Sequence, residues 1–102
     1  MMSKVYLSGK IRGDTAYREK FAGAQKQLEA KGFVVLNPAL LPAGLDEGDY
    51  MRIALAMLDS ADMMACLPDW RESKGAMVEH DLCRRIGKSC LSYQDLLTEG
   101  KN

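Results

Sequence analysis

Four short apolar runs alternate with three amphipathic stretches, and that alternation restricts the chain more than any other feature of it. The runs are Val5-Tyr6-Leu7, "FVVLNP" from Phe33 to Pro38, "MMACL" from Met63 to Leu67, and a weaker "SCLSY" from Ser89. Between the first two, Tyr17, Phe21, Ala24 and Leu28 recur at helical spacing, with Lys and Glu interspersed. Asp14 or Thr15 is placed to cap that helix, and Gly32 to end it. Met51, Ala54, Leu55 and Leu58 form a second stripe after a loop from Pro38 to Gly48. Pro68 and the polar "DWRESKG" separate the third run from a helix expected from Gly75 to about Ile86, with Val78, Leu82 and Ile86 on one face. Gly87 stops it, and Gln94 to Leu97 adds a helical turn after the fourth run.

The order is β-α-β-α-β-α-β. Continuously apolar strands between amphipathic helices predict an α/β protein: a small doubly wound parallel sheet of four to five strands with helices on both faces, Rossmann-like or flavodoxin-like. At 102 residues, with no repeat or linker, the chain reads as a single domain over 1–102. In such sheets ligands bind beyond the carboxyl ends of the strands. The segments to inspect are therefore Ser8 to Gly13, Asn37 to Gly44, and Pro68 to Glu79.

Charge narrows the partner classes. Lys plus Arg is 14 and Asp plus Glu is 14, so nothing electrostatic favours duplex nucleic acid or an anionic membrane. No apolar run is long enough to span a bilayer, and Met1 to Lys4 leads straight into a strand without a signal peptide, which predicts a cytoplasmic location. Cys66, Cys83 and Cys90 form no CxxC pair, and with a single histidine they supply no metal cluster, so neither metal nor cofactor is expected.

"VYLSGKIRG" ends the first strand in Ser8, Gly9, Ile11, Arg12 and Gly13. Glycines permit close backbone approach and positive φ, and Arg12 offers a planar fork of donors to phosphate or carboxylate. The same residues also make a tight turn with a solvated arginine. They are not a dinucleotide GxGxxG fingerprint. In "PDWRESKGAMVEHDL", Ser73 and Gly75 sit at a helix start with Glu79 one turn in. Helical side chains lean toward the N-terminus, so this spacing gathers a serine, open amides and a carboxylate at one mouth. Glu79 reads either as a nucleophile there or as a helix-favouring residue paired with Arg12 or Lys88. Trp70 could stack on a base or anchor its loop. His80 reads as a helix-surface residue and the seven methionines as core filler.

Together "YLSGKIRG" and "SKGAMVE" resemble the nucleoside 2-deoxyribosyltransferase superfamily. The first segment is especially similar to the 2′-deoxynucleoside 5′-phosphate N-hydrolases, through Tyr6, Gly9, Ile11, Arg12 and Gly13. The second matches the family's Gly-x-x-x-Glu at Gly75 and Glu79, with Ser73 ahead of it, and Gly87-Lys88 precedes the last core strand. The chain also resembles a short phage and bacterial branch (DUF4406-like) in Asn37 to Ala39, Tyr50-Met51, Leu67 to Trp70 and Ser73 to Glu79.

The resemblance implies chemistry at the N-glycosidic bond of a 2′-deoxynucleoside or its 5′-monophosphate. Glu79 would attack C1′ and form a glycosyl-enzyme, released by water or a second base. Tyr6 would sit at the sugar and orient Glu79. Arg12, Ser73 and amides near Gly75 would hold a phosphate, with Ser8, Gly9, Ile11, Gly13, Asn37 and Trp70 lining the site. A homo-oligomer is implied too. One position departs: the superfamily's second-helix aspartate, counted back from Asp62, falls at Ala54. General acid–base help is worth ~10²–10⁴ in rate. Three functions follow for comparison: a glycosidic hydrolase or transferase, a non-catalytic protein binding a nucleotide or ADP-ribose-like ligand, and an interaction module on a reused fold.

Overall fold

A computed structural model describes residues 2–99. Four strands, β1 (Lys4–Ser8), β2 (Val34–Leu36), β3 (Met63–Cys66) and β4 (Ser89–Ser92), alternate with four helices, α1 (Tyr17–Ala30), α2 (Glu47–Ser60), α3 (Lys74–Arg85) and α4 (Tyr93–Glu99). Every strand pairing is parallel, in the order β2-β1-β3-β4. This is the flavodoxin-like order, in which the chain reverses its winding between β1 and β3 and leaves a crevice at their carboxyl ends. Ser8 and Cys66, the last residues of those strands, pair in register at that end of the sheet.

The two faces of β1 feed two cores, because successive side chains of a strand point oppositely. Val5 and Leu7 pack with Phe21, Ala24 and Leu28 of α1 and with Leu96 of α4. Tyr6 packs on the other side with Ala54 and Leu58 of α2, Met64 of β3 and Cys83 of α3. Helices thus cover both faces.

Several local expectations shift. The strand expected over Phe33–Pro38 shortens to Val34–Leu36, because Asn37 turns the chain. Its carboxamide oxygen accepts from Ala39 N at 2.8 Å, which starts a 3-10 turn at Pro38–Leu40. Neither Asp14 nor Thr15 caps α1. Ala16 holds the N-cap position, and Asp14 Oδ1 instead accepts from Ala16 N at 2.9 Å in the turn before it. Gly48 lies inside the first turn of α2 rather than in a loop. Gly32 and Gly87 do follow the helix ends, with φ of +95° and +78°, the left-handed conformation a helix terminus favours.

The largest correction concerns α3. Val78 and Ile86 are exposed and Leu82 is half-buried, whereas Ala76, Glu79 and Cys83 form the inward face. The helix turns a carboxylate toward the sheet and leaves valine in solvent.

Candidate active site

The site is built on β1. Tyr6 and Ser8 are two residues apart on a strand, so both hydroxyls project toward α3. Tyr6 OH donates to Glu79 Oε2 at 2.8 Å, and Ser8 Oγ donates to Glu79 Oε1 at 2.7 Å. Each carboxylate oxygen therefore has one hydroxyl donor. Glu79 is only 8% exposed, and Tyr6 and Ser8 are 1% exposed each. Among the described residues no cation pairs with Glu79: Arg12 pairs with Glu47, and the Lys88 ammonium donates to the carbonyls of Leu58, Asp59 and Ala61.

Burial raises the Glu79 carboxyl above the ordinary carboxylate range, and the hydrogen bonds from Ser8 and Tyr6 partly oppose that rise. Burial, reinforced by the Glu79 charge, lifts the Tyr6 phenol well above its usual value, so it remains a donor. The Cys66 thiol is pushed up to about 12, first by burial, and is neutral. The arrangement is a buried carboxyl group fixed in orientation near the carboxyl end of β1, with two hydroxyl donors and no cation as its partners among the described residues. Such a group can attack an electrophilic carbon or bind a polar ligand.

The other candidates have distinct partners. Ser73 is the N-cap of α3, its Oγ accepting from Ala76 N at 3.1 Å, which leaves its own proton free to donate. Gly75 stands in the first turn of that helix, where N–H groups lack carbonyls one turn back. Gly9 is dictated by packing: a Cβ there would lie 2.9 Å from both Leu67 Cβ and Cδ1 and 3.1 Å from Asp69 Oδ1. Gly13 takes φ +85°, and Ile11 packs against the α1-side core. Arg12 is mostly exposed in its pair with Glu47. Asn37 is buried and committed to the fold, its amide donating to Gln25 Oε1 at 2.9 Å. Trp70 stacks on His80 at 4.1 Å between centroids, with the Arg71 guanidinium 4.6 Å from its ring centre. Trp70 is thus engaged by two side chains of its own neighbourhood, and His80 is half-buried. The structure brings Glu79, Tyr6 and Ser8 together; Asn37 and Arg12 it ties elsewhere.

Two framework residues escaped sequence reading. Lys20 Nζ donates to Lys10 O at 2.7 Å and to Asp14 and Asp69 carboxylates, while Asp69 Oδ1 accepts from Lys10 N at 3.0 Å. These bonds stitch the loop after β1 to the loop after β3. An Asp following Leu-Pro and a Lys within a helical stripe carry no signal that they meet. A cleft of about 220 Å³ opens beside Cys66, Trp70 and Arg71. A wider one of about 460 Å³ lies over α1 and α4, and Glu79 lines neither. Among the described residues no group of His, Cys, Asp and Glu is placed to hold a metal ion, and no helix is long and apolar enough to cross a membrane.

A family model described as a domain of unknown function, DUF4406, matches residues 3–92. A search of curated proteins returns no match. Among solved structures, a 2-deoxyribosyltransferase from the psychrotolerant bacterium Bacillus psychrosaccharolyticus superposes with a TM-score of 0.68 at 18% identity, covering 87% of this chain and 71% of that one. At that identity the likeness is one of fold: a parallel four-stranded α/β sheet wound in the same way.

Proposed function

The chain belongs to the DUF4406 family, and we propose that it cleaves or transfers the N-glycosidic bond of a 2′-deoxynucleoside or its 5′-monophosphate through Glu79. One observation carries this reading: a buried carboxylate without a salt bridge, each oxygen held by a hydroxyl from β1, at the switch point of the sheet. A structural glutamate would neutralise itself with Arg12 or Lys88. Here both cations are engaged by other groups.

In the reaction a Glu79 oxygen attacks C1′ as the C1′–N bond breaks, and the bonding pair leaves with the base nitrogen. That nitrogen takes a proton from water, since Ala54 provides no second carboxylate on α2. The hydroxide left by that water attacks C1′ of the ester, and Glu79 returns as the carboxylate. The balance is one water consumed, its hydrogen on the base and its hydroxyl on the sugar; a second base in place of water gives transfer. Arg12 supplies a cation for a 5′-phosphate if it exchanges Glu47 for the ligand. An exposed ion pair of this kind holds only ~0–1 kcal/mol. The Ser73 hydroxyl and the first amides of α3 are further donors.

The test is chromatography of a panel of deoxynucleosides and their 5′-monophosphates after long incubation, with Glu79→Ala alongside. Base released by wild type and not by Glu79→Ala supports the reading. Arg12→Ala should raise KM for the monophosphate and leave that for the nucleoside unchanged. The buried alanine at position 54, in contact with the cluster around Tyr6, favours a second reading in which the crevice binds a nucleotide or an ADP-ribose-like ligand without turnover. Calorimetric binding of a deoxynucleotide with no base released, at high protein concentration and with a second acceptor base present, would select it.

A further inference from the structure

We propose that Ser8 is a positioning residue for Glu79 and makes no contact with substrate, an inference that rests on the glycosidic reading above. The family resemblance implies Ser8 among the residues that line the site. The geometry points elsewhere. Ser8 is 1% exposed, which leaves almost no surface for a ligand. Its backbone is fixed on an inner strand: it pairs in register with Cys66, and its carbonyl accepts from Leu67 N at 2.8 Å. Its one hydroxyl proton is spent on Glu79 Oε1 at 2.7 Å.

The terminal torsion of a glutamate is broad and roughly two-fold, so packing alone leaves the plane of its carboxylate loose. One donor, Tyr6, would tether a single oxygen. Two donors from the same face of one strand fix both oxygens, and with them the direction in which the remaining lone pairs point. They also have to stabilise the charge, because the surroundings do not. The titratable groups packed around Glu79 are the Tyr6 phenol of β1, the Cys66 thiol of β3 and the Cys83 thiol one turn on along α3, all neutral, with Cys90 of β4 behind them; α2 brings Ala54 and Leu58 to the same core; and His80, beside Glu79 on α3, is turned onto Trp70. Without Ser8, one oxygen of a buried carboxylate has no donor, and the group holds its proton to higher pH.

The experiment is a carbon-13 NMR titration of the Glu79 side-chain carboxyl in wild type, Ser8→Ala and Ser8→Cys, together with the pH dependence of kcat and KM on a cleaved deoxynucleoside 5′-monophosphate. Cysteine is close to serine in size and a far weaker donor, so it separates the lost hydrogen bond from lost packing. Both variants should titrate Glu79 at higher pH than wild type. The acid limb of the rate profile should move with it, and kcat should fall about tenfold on that limb with KM little changed. An unmoved Glu79 midpoint overturns the assignment whether or not the protein turns over, and a raised KM with unchanged kcat makes Ser8 a substrate contact instead. A shifted midpoint in a protein that cleaves nothing sustains the hold of Ser8 on Glu79 and overturns the glycosidic reading.

Discussion

Glu79 carries a conflict between stability and chemistry. Burial raises its folded-state pKa above the unfolded value, so the native state binds the extra proton. Stability therefore falls as pH rises through the folded pKa, and at neutral pH the ionised carboxylate is a net cost. Glu79→Gln should abolish base release while raising the melting temperature at pH 7, and the gain should vanish below the ordinary carboxylate range; scanning calorimetry at both pH values reads this. An equal gain at both would mean the charge is not the cause. Gly9 has an opposite signature. Gly9→Ala forces a methyl against Leu67 and should destabilise the fold by about 1–3 kcal/mol in denaturant titration. Neither role is visible locally in the sequence. Gly9 looks like a ligand-approach glycine because Leu67 is remote in the chain, and Ser8 looks like a turn serine because its partner is on α3. Tyr6 and Glu79 were legible as a pair only through the family resemblance.

Among the elements, β1, β3 and α1 were readable because apolar runs bounded by glycine and proline leave few alternatives. The third helix was not. A search for apolar spacing finds Val78, Leu82 and Ile86, since it cannot count a buried glutamate as inward-facing, and the functional carboxylate displaces the pattern toward Ala76, Glu79 and Cys83. Another tie is equally hidden. Lys88, just before β4, satisfies the last carbonyls of α2 with one ammonium, where cations favour helix C-termini. Lys88→Met keeps much of the stem and removes the charge, so about 1.5–3 kcal/mol should be lost in urea titration. A change inside ±0.5 kcal/mol, as for an ordinary surface site, would show water replacing the lysine without penalty.

For the molecule as a whole, the alternation of runs dictated the sheet class, and the handedness rule for crossovers restricted the winding. The position of β1 inside the sheet came from the structure, since alternation alone does not order parallel strands. Ile53 on α2 and Met77, Val78 and Ile86 on α3 and at its end remain exposed. With the resemblance, they support a homo-oligomer: light scattering after gel filtration should give a mass above one chain, and a monomer at micromolar concentration would end that proposal. The inner placement of Tyr6 and Ser8 has a temporal consequence as well. Amides of a strand paired on both sides exchange with solvent chiefly through global opening, whereas strand-end loops open locally. The Tyr6 amide, on the part of β1 paired with both β2 and β3, should therefore rank among the slowest to take up deuterium, and the orientation of Glu79 should last as long as the native state does. Loss of function on heating should then coincide with melting instead of preceding it.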